Sequence, residues 1–131
     1  TYSFATLTEM KGEMIKTVME DVADNLFNPD PYYQQGGDMV RVGGLTYAFD
    51  PLQGMGKRVS DMRLKGELID PNKTYKVAGW APVAEDAAKA GNPMVWELVE
   101  QWLKARGGKV TARQPNVPRL TAGLPNPGYA D

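Results

Sequence analysis

The sequence predicts an α+β domain with a mixed β-sheet and two main helices. Two amphipathic stretches, near residues 14–27 and 95–103, repeat apolar side chains at helical spacing, and several short stretches between them alternate with the period of a strand. The two patterns interleave without a strict strand–helix–strand rhythm, which argues against an all-parallel sheet. The chain has 131 residues, 42% of them hydrophobic, enough to bury one core.

Tyr2 to Met10 mixes Phe4, Ala5, Leu7 and Met10 with Thr and Ser and reads as a strand that turns at Lys11-Gly12. Met14, Ile15, Val18, Met19, Val22, Ala23, Leu26 and Phe27 then fall on one helical stripe. That helix must end at Asn28-Pro29, because a residue before proline is pushed out of the α region. Met39 to Val42, the Gly43-Gly44 pair and Leu45, Tyr47 and Phe49 read as strand, kink, strand. Met62 and Leu64 alternate with charged neighbours as a further strand. Asp70-Pro71-Asn72-Lys73 has type I turn chemistry, so the strands on either side of it, the second carrying Tyr75 and Val77, are expected to pair as a hairpin. Residues 81–91 are Ala-rich and fit a short helix or a loop. Asn92-Pro93 opens a second helix carrying Val95, Leu98, Val99, Trp102 and Leu103, with Gly107 as its C-terminal cap. The expected organisation is one domain over residues 1–108 and an extended Pro- and Gly-rich arm over 109–131 that is laid on a partner or mobile.

Composition excludes several functions. Fifteen Lys and Arg against sixteen Asp and Glu leave a net charge of −1, so no broad cationic face for nucleic acid is expected. No apolar run approaches the roughly 20 residues of a membrane-spanning helix, and the first residues lack the pattern of a secretion signal. With no His and no Cys, the usual zinc ligands, the usual general base and an ordinary serine or cysteine triad are all missing.

Gly37-Asp38-Met39-Val40-Arg41-Val42-Gly43-Gly44-Leu45, with Tyr47, Asp50, Lys57-Arg58-Val59, Ile69-Asp70-Pro71 and Lys73-Thr74-Tyr75-Lys76-Val77, resembles the carboxy-terminal domain of the 5′-nucleotidase family over roughly residues 2–105. Glu20 to Arg41, together with Val77-Ala78-Gly79-Trp80-Ala81-Pro82-Val83-Ala84, is similar to the branch of that family that serves thiosulfate oxidation. The resemblance implies a periplasmic, two-domain hydrolase. Its amino-terminal metallophosphoesterase-like domain would hold two manganese ions, and the present domain would close over them. Such an enzyme hydrolyses a sulfonate carried on a cysteine of the SoxYZ carrier protein and releases sulfate. The metal-binding motifs of the first domain, and the Gly-rich, Arg-containing motif that precedes the first strand in the family, are not in this chain. The chain is therefore expected to start inside its parent domain and to be inactive alone.

Departures from the family pattern bear on the substrate. Nucleotide-cleaving members stack a base between two aromatic rings. Here the first of those neighbourhoods holds Met39 and Arg41, and the second holds Trp80-Ala81-Pro82-Val83-Ala84-Glu85. Losing both rings argues against holding a purine.

Arg41 is the leading candidate for substrate binding, since a guanidinium offers two fixed donors to a sulfonate and stays charged at working pH; an ordinary surface arginine is the plain alternative. Asp38 either orients Arg41 or opens the strand. Tyr32 and Tyr33 sit between prolines and glycines, where exposed aromatics contact partners, and one buried with one exposed is expected. Gln34, Gln35, Gly36 and Gly37 either let the carrier's arm approach the backbone or form a plain loop. Trp80 walls the cleft or fills the core. Trp102 is expected to be structural, and Glu13, Glu20, Asp21 and Asp24 are expected to form a solvated helix face. A nucleotidase domain with a rearranged base pocket and a pure carrier-docking module remain as alternative functions.

Overall fold

The computed structural model describes residues 4–79 and 91–122. Contacts divide the chain into two units, one of residues 1–10 and 74–114, the other of residues 11–73 and 115–131. Among the described residues the fold is α+β with two α-helices and a mixed sheet, as the sequence predicts.

In the first unit, β1 (Thr6–Lys11) pairs with β5 (Thr74–Gly79). Side chains along β1 alternate between buried and exposed, with Thr6, Thr8 and Met10 inward. Phe4 bridges to Met94, and the Ala5 N–H donates to the Pro93 carbonyl at 2.9 Å. Met94 itself is extended, at φ −65° and ψ 141°, so α2 (Val95–Lys104) begins after it and not at Asn92. The Met94 N–H is capped by the Glu97 carboxylate. At the other end Gly107 and Gly108 take positive φ, and the Gly108 N–H donates to the Leu103 carbonyl, closing the helix as expected.

The second unit is built on a sheet of order β4-β3-β2-β6, with β2 spanning Leu45–Phe49, β3 Val59–Leu64, β4 Glu67–Leu68 and β6 Arg119–Leu120. β2 and β3 are antiparallel, with a bulge between Thr46 and Ala48. β3 returns to β4 through Lys65-Gly66, whose positive φ values of 52° and 85° suit a two-residue hairpin turn. β6 runs parallel to β2, which makes the sheet mixed. The described end of the Pro-rich arm is thus part of this sheet. Asn116 donates its side-chain amide to the carbonyls of Val42 and Leu45, and the Thr121 N–H donates to the Phe49 carbonyl.

Helix α1 (Gly12–Phe27) lays Met19 and Ala23 on Leu45, Tyr47, Phe49, Val59 and Met62, with Ile15, Met39, Val42 and Ile69 at the edge. Burying each of the large side chains is worth about 1.5–3 kcal/mol, so this cluster is the main source of the unit's stability. Phe27 is half-exposed and tilts against Phe49 at 5.3 Å between ring centres.

Three expected elements differ. Lys11-Gly12 is not a turn, because β1 passes directly into α1. Gly12 is required there because a Cβ would lie 2.3 Å from the Asp70 carbonyl oxygen. The Asp70–Lys73 turn does form, but it caps α1 instead of making a hairpin. The Gly12 and Glu13 N–H groups donate to the carbonyls of Lys73 and Pro71 at 3.0 and 3.1 Å, which satisfies two amides that a helix start leaves free. The strands flanking the turn therefore pair elsewhere, β5 with β1 and β3 with β2. Residues 39–42 form no strand. Met39 and Val42 pack on the core three residues apart, and Asn116 takes the Val42 carbonyl.

Candidate functional site

The connection between α1 and β2 carries every candidate residue except Trp80, and its first half is folded back on the helix end. Asn28 donates to the Asp24 carboxylate at 2.8 Å and accepts from the Asp30 N–H, while the Gln34 side chain donates to the Asn28 carbonyl. Asp30 caps a short 3-10 turn at Pro31–Tyr33 by accepting from the Tyr32 N–H. The Gly36 N–H returns to the Asn25 carbonyl at 3.1 Å.

Both tyrosines are exposed, which corrects the expectation that one is buried. Their rings meet edge to face at 5.5 Å, so each supports the other instead of the core. Gly36 and Gly37 take φ values of 82° and 98°, and nothing lies within 4 Å of where a side chain would start. Glycine is demanded here by the backbone conformation, and the space around it is open.

Arg41 is presented to solvent from a segment held on both sides. Met39 and Val42 anchor it in the core, and its side chain is 89% exposed. The guanidinium meets Asp38 at 3.3 Å, so of the two roles offered for Asp38 the contact with Arg41 is formed and no strand is opened. Among the described residues, no hydrogen bond or cation–π pair joins either tyrosine to Arg41 or Asp38. The candidates form two clusters on one connection, Tyr32 with Tyr33 and Asp38 with Arg41. Trp80 lies outside the described residues.

Sequence reasoning missed the charged centre that holds this connection in place. Glu20 and Asp24 do not belong to a solvated face. Glu20 is 3% exposed, and its carboxylate accepts from the N–H groups of Gly56, Arg58 and Val59 at 2.9, 3.3 and 2.7 Å. Arg58 is 1% exposed and donates to Asp24 at 2.7 Å and to the Phe27 carbonyl at 3.0 Å, which caps the C-terminus of α1. Hydrogen bonds from Arg58, and then from Asn28, hold the Asp24 carboxyl below its ordinary value. Burial pushes the Tyr47 hydroxyl up. Asn28 links this centre to the candidate loop, since one side chain touches both Asp24 and Asp30.

An open groove of about 580 Å³ borders this centre, lined by Glu20, Gly56 and Val59 together with Lys16, Met62 and Ile69 among others. None of the predicted site residues among the described ones borders it. Among the described residues no cluster of three His, Cys, Asp or Glu side chains is placed to hold a metal ion.

With this fold and loop, the chain is a carboxy-terminal domain of a hydrolase family: residues 4–90 match the 5′-nucleotidase, C-terminal domain, and the chain belongs to that family. Within it the chain is a SoxB-like domain, 34% identical over 94% of its length to the sulfate thiohydrolase SoxB of Thermus thermophilus, solved in complex with glycerol, with a TM-score of 0.78. A 5′-nucleotidase from Staphylococcus aureus, solved with α-ketoglutarate, shares the fold at 16% identity over 91% of the chain and a TM-score of 0.58. The chain spans 23% and 27% of those two proteins. No curated protein sequence matches it significantly.

Proposed function

We propose that this chain is the substrate-side domain of a two-domain, dinuclear-metal hydrolase resembling SoxB, which acts in the periplasm on a sulfonate carried by a cysteine of SoxYZ, and that it is inactive by itself. The observation that carries this reading is the 34% identity to SoxB across 94% of the chain, against 16% for the 5′-nucleotidase of the same fold. In the reaction, water attacks the sulfonate sulfur and the bond from that sulfur to the carrier-side sulfur breaks. Sulfate leaves, the electron pair stays on the carrier, and the protons of water go to solvent. Two manganese ions in an amino-terminal companion domain would supply the activated water and take up charge.

This chain's own residues bind and orient. Arg41 receives two sulfonate oxygens through its forked N–H groups. Its present partner Asp38 is a solvent-exposed ion pair, worth about 0–1 kcal/mol, so exchanging that carboxylate for the substrate anion costs little. Tyr32 and Tyr33 offer exposed ring area to the carrier, and the open backbone at Gly36 and Gly37 leaves room for its substrate-bearing arm.

Arg41→Ala in the full-length enzyme is expected to lower kcat/KM for the carrier-bound sulfonate about 100-fold, the loss that removal of a charged anion-binding donor brings. Arg41→Lys, which keeps charge but loses the fork, should recover only part of it. Kinetics of Arg41→Ala within twofold of wild type would remove Arg41 from the site.

A further inference from the structure

The surface of α2 is unlike that of α1. Trp96, Leu98, Val99 and Trp102 stand between 38% and 58% exposed, and no residue of the helix is fully buried. The helix then runs into Lys104, Arg106, Lys109 and Arg113, all exposed. Between Glu100 and Asp131 the sequence holds no acid at all, while the first hundred residues carry fifteen acids against ten cations. The charge asymmetry is thus built into the sequence and gathered at one end of this helix.

The cations are arranged around an aromatic ring. The Arg106 guanidinium stacks 4.0 Å from the centre of the Trp102 ring, and that of Arg113 lies 5.9 Å from it. A guanidinium stacked on a ring is fixed by its face, and the N–H groups on its edge stay free to fork a carboxylate. Among the described residues, Arg106, Lys109 and Arg113 form no ion pair, whereas Lys104 pairs with Glu100. Val99, Trp102 and Arg106 follow one another at spacings of three and four, so an apolar stripe leads directly into the cationic end.

We propose that this face of α2, with residues 104–113, is a docking surface for an acidic protein segment that places carboxylates on Arg106 and Arg113 and an apolar side chain against Val99 and Trp102. Exposed Trp and Arg together are what the centres of protein interfaces are rich in. Two other anionic partners fit less well. Arg106 occupies a face of Trp102 that a nucleic-acid base would need for stacking. Glu97 and Glu100 on the helix itself oppose a flat anionic bilayer, whereas a narrow peptide passes beside them. The proposal rests on residues of the first unit alone and does not depend on the activity proposed above.

The test uses this chain and a fluorescein-labelled peptide that alternates Asp and Glu with Leu and Phe, followed by anisotropy. Saturable binding near 100 μM, on the order of a weak transient contact, is expected, and it should weaken steeply as salt is raised. Arg106→Glu combined with Arg113→Glu should lower affinity at least about tenfold, and Trp102→Ala by a similar factor. Lys109→Glu, at an exposed position, gives a smaller loss in the same direction and guards against a folding defect. Lys65→Glu, an exposed cation in the β3–β4 turn, should leave binding within twofold. No saturation at millimolar peptide, equal weakening by Lys65→Glu, or tighter binding of a single-stranded oligonucleotide or of phosphatidylserine vesicles than of the peptide overturns the proposal.

Discussion

Glu20→Ala is expected to destabilise the chain by about 4 kcal/mol, because three backbone N–H groups lose the carboxylate that accepts from them and two of them are buried. The cost is that of leaving donors unpaired, which exceeds what forming such bonds gains against water. Glu20→Gln separates this from packing. It keeps the volume but turns one acceptor oxygen into a donor, which would face either the N–H groups of Gly56 and Arg58 or that of Val59. A loss of more than half the alanine effect is expected. Urea unfolding followed by circular dichroism should show the Ala variant's midpoint falling by about 2–3 M for an m-value near 1.5 kcal/mol per molar. If Glu20→Gln unfolds like wild type, the carboxylate is not what pins residues 56–59 to α1.

Arg58→Ala is the second large effect, about 3 kcal/mol at neutral pH. The change empties a buried site, uncovers the Phe27 carbonyl and leaves Asp24 without its strongest donor. Its pH dependence follows from Asp24. The folded-state value is depressed below 3.8, so the ionised carboxylate contributes stability above about pH 4, and this contribution fades as pH falls through the folded value. The gap between wild type and Arg58→Ala should therefore be full at pH 7 and narrow below pH 3.8. A gap that stays constant from pH 7 to pH 3 would mean that the variant's loss is packing alone.

These two residues also show where the sequence is legible and where it is not. The stripe from Ile15 to Leu26 announces α1 because a helix that buries one face must repeat its apolar residues at that period, and Met19 and Ala23 are indeed at the centre of the core. Glu20 lies on the same helix and looks like a solvent-facing charge, because its partners are 36 to 39 residues away and leave no local mark. Arg58 is quoted in the family resemblance, but no spacing rule ties it to Asp24. The same limit misplaced the strand partners. The turn at Asp70–Lys73 is readable from its proline and its Asx chemistry, yet its carbonyls go to Gly12 and Glu13, a contact set by chain packing. Helix α2 and its glycine cap were readable, while its start moved to Val95 because Met94 is extended.

The candidate loop was reached by a different route. Nothing in the periodicity around Arg41 distinguishes it from a surface arginine, and only the likeness of the surrounding string to a family motif singled it out. What the structure adds is physical. Arg41 stands out from a segment anchored by Met39, Val42 and Asn116, it holds a weak and exchangeable partner in Asp38, and the glycines beside it leave open space. Two exposed tyrosines precede it on a hydrogen-bonded turn that Asp30 caps. The anion site proposed here uses no aromatic sandwich, so the proposal calls for a tethered sulfonate in preference to a nucleoside monophosphate.

The most direct test is to assay the full-length protein for sulfate release from SoxYZ-bound sulfonate and for phosphate release from AMP, with the 131-residue chain alone as the control. Sulfate release with kcat/KM at least about 100-fold above that for AMP, and no turnover by the chain alone, is the predicted result. AMP cleaved in preference to the carrier-bound sulfonate, or either substrate cleaved by the isolated chain, would contradict it.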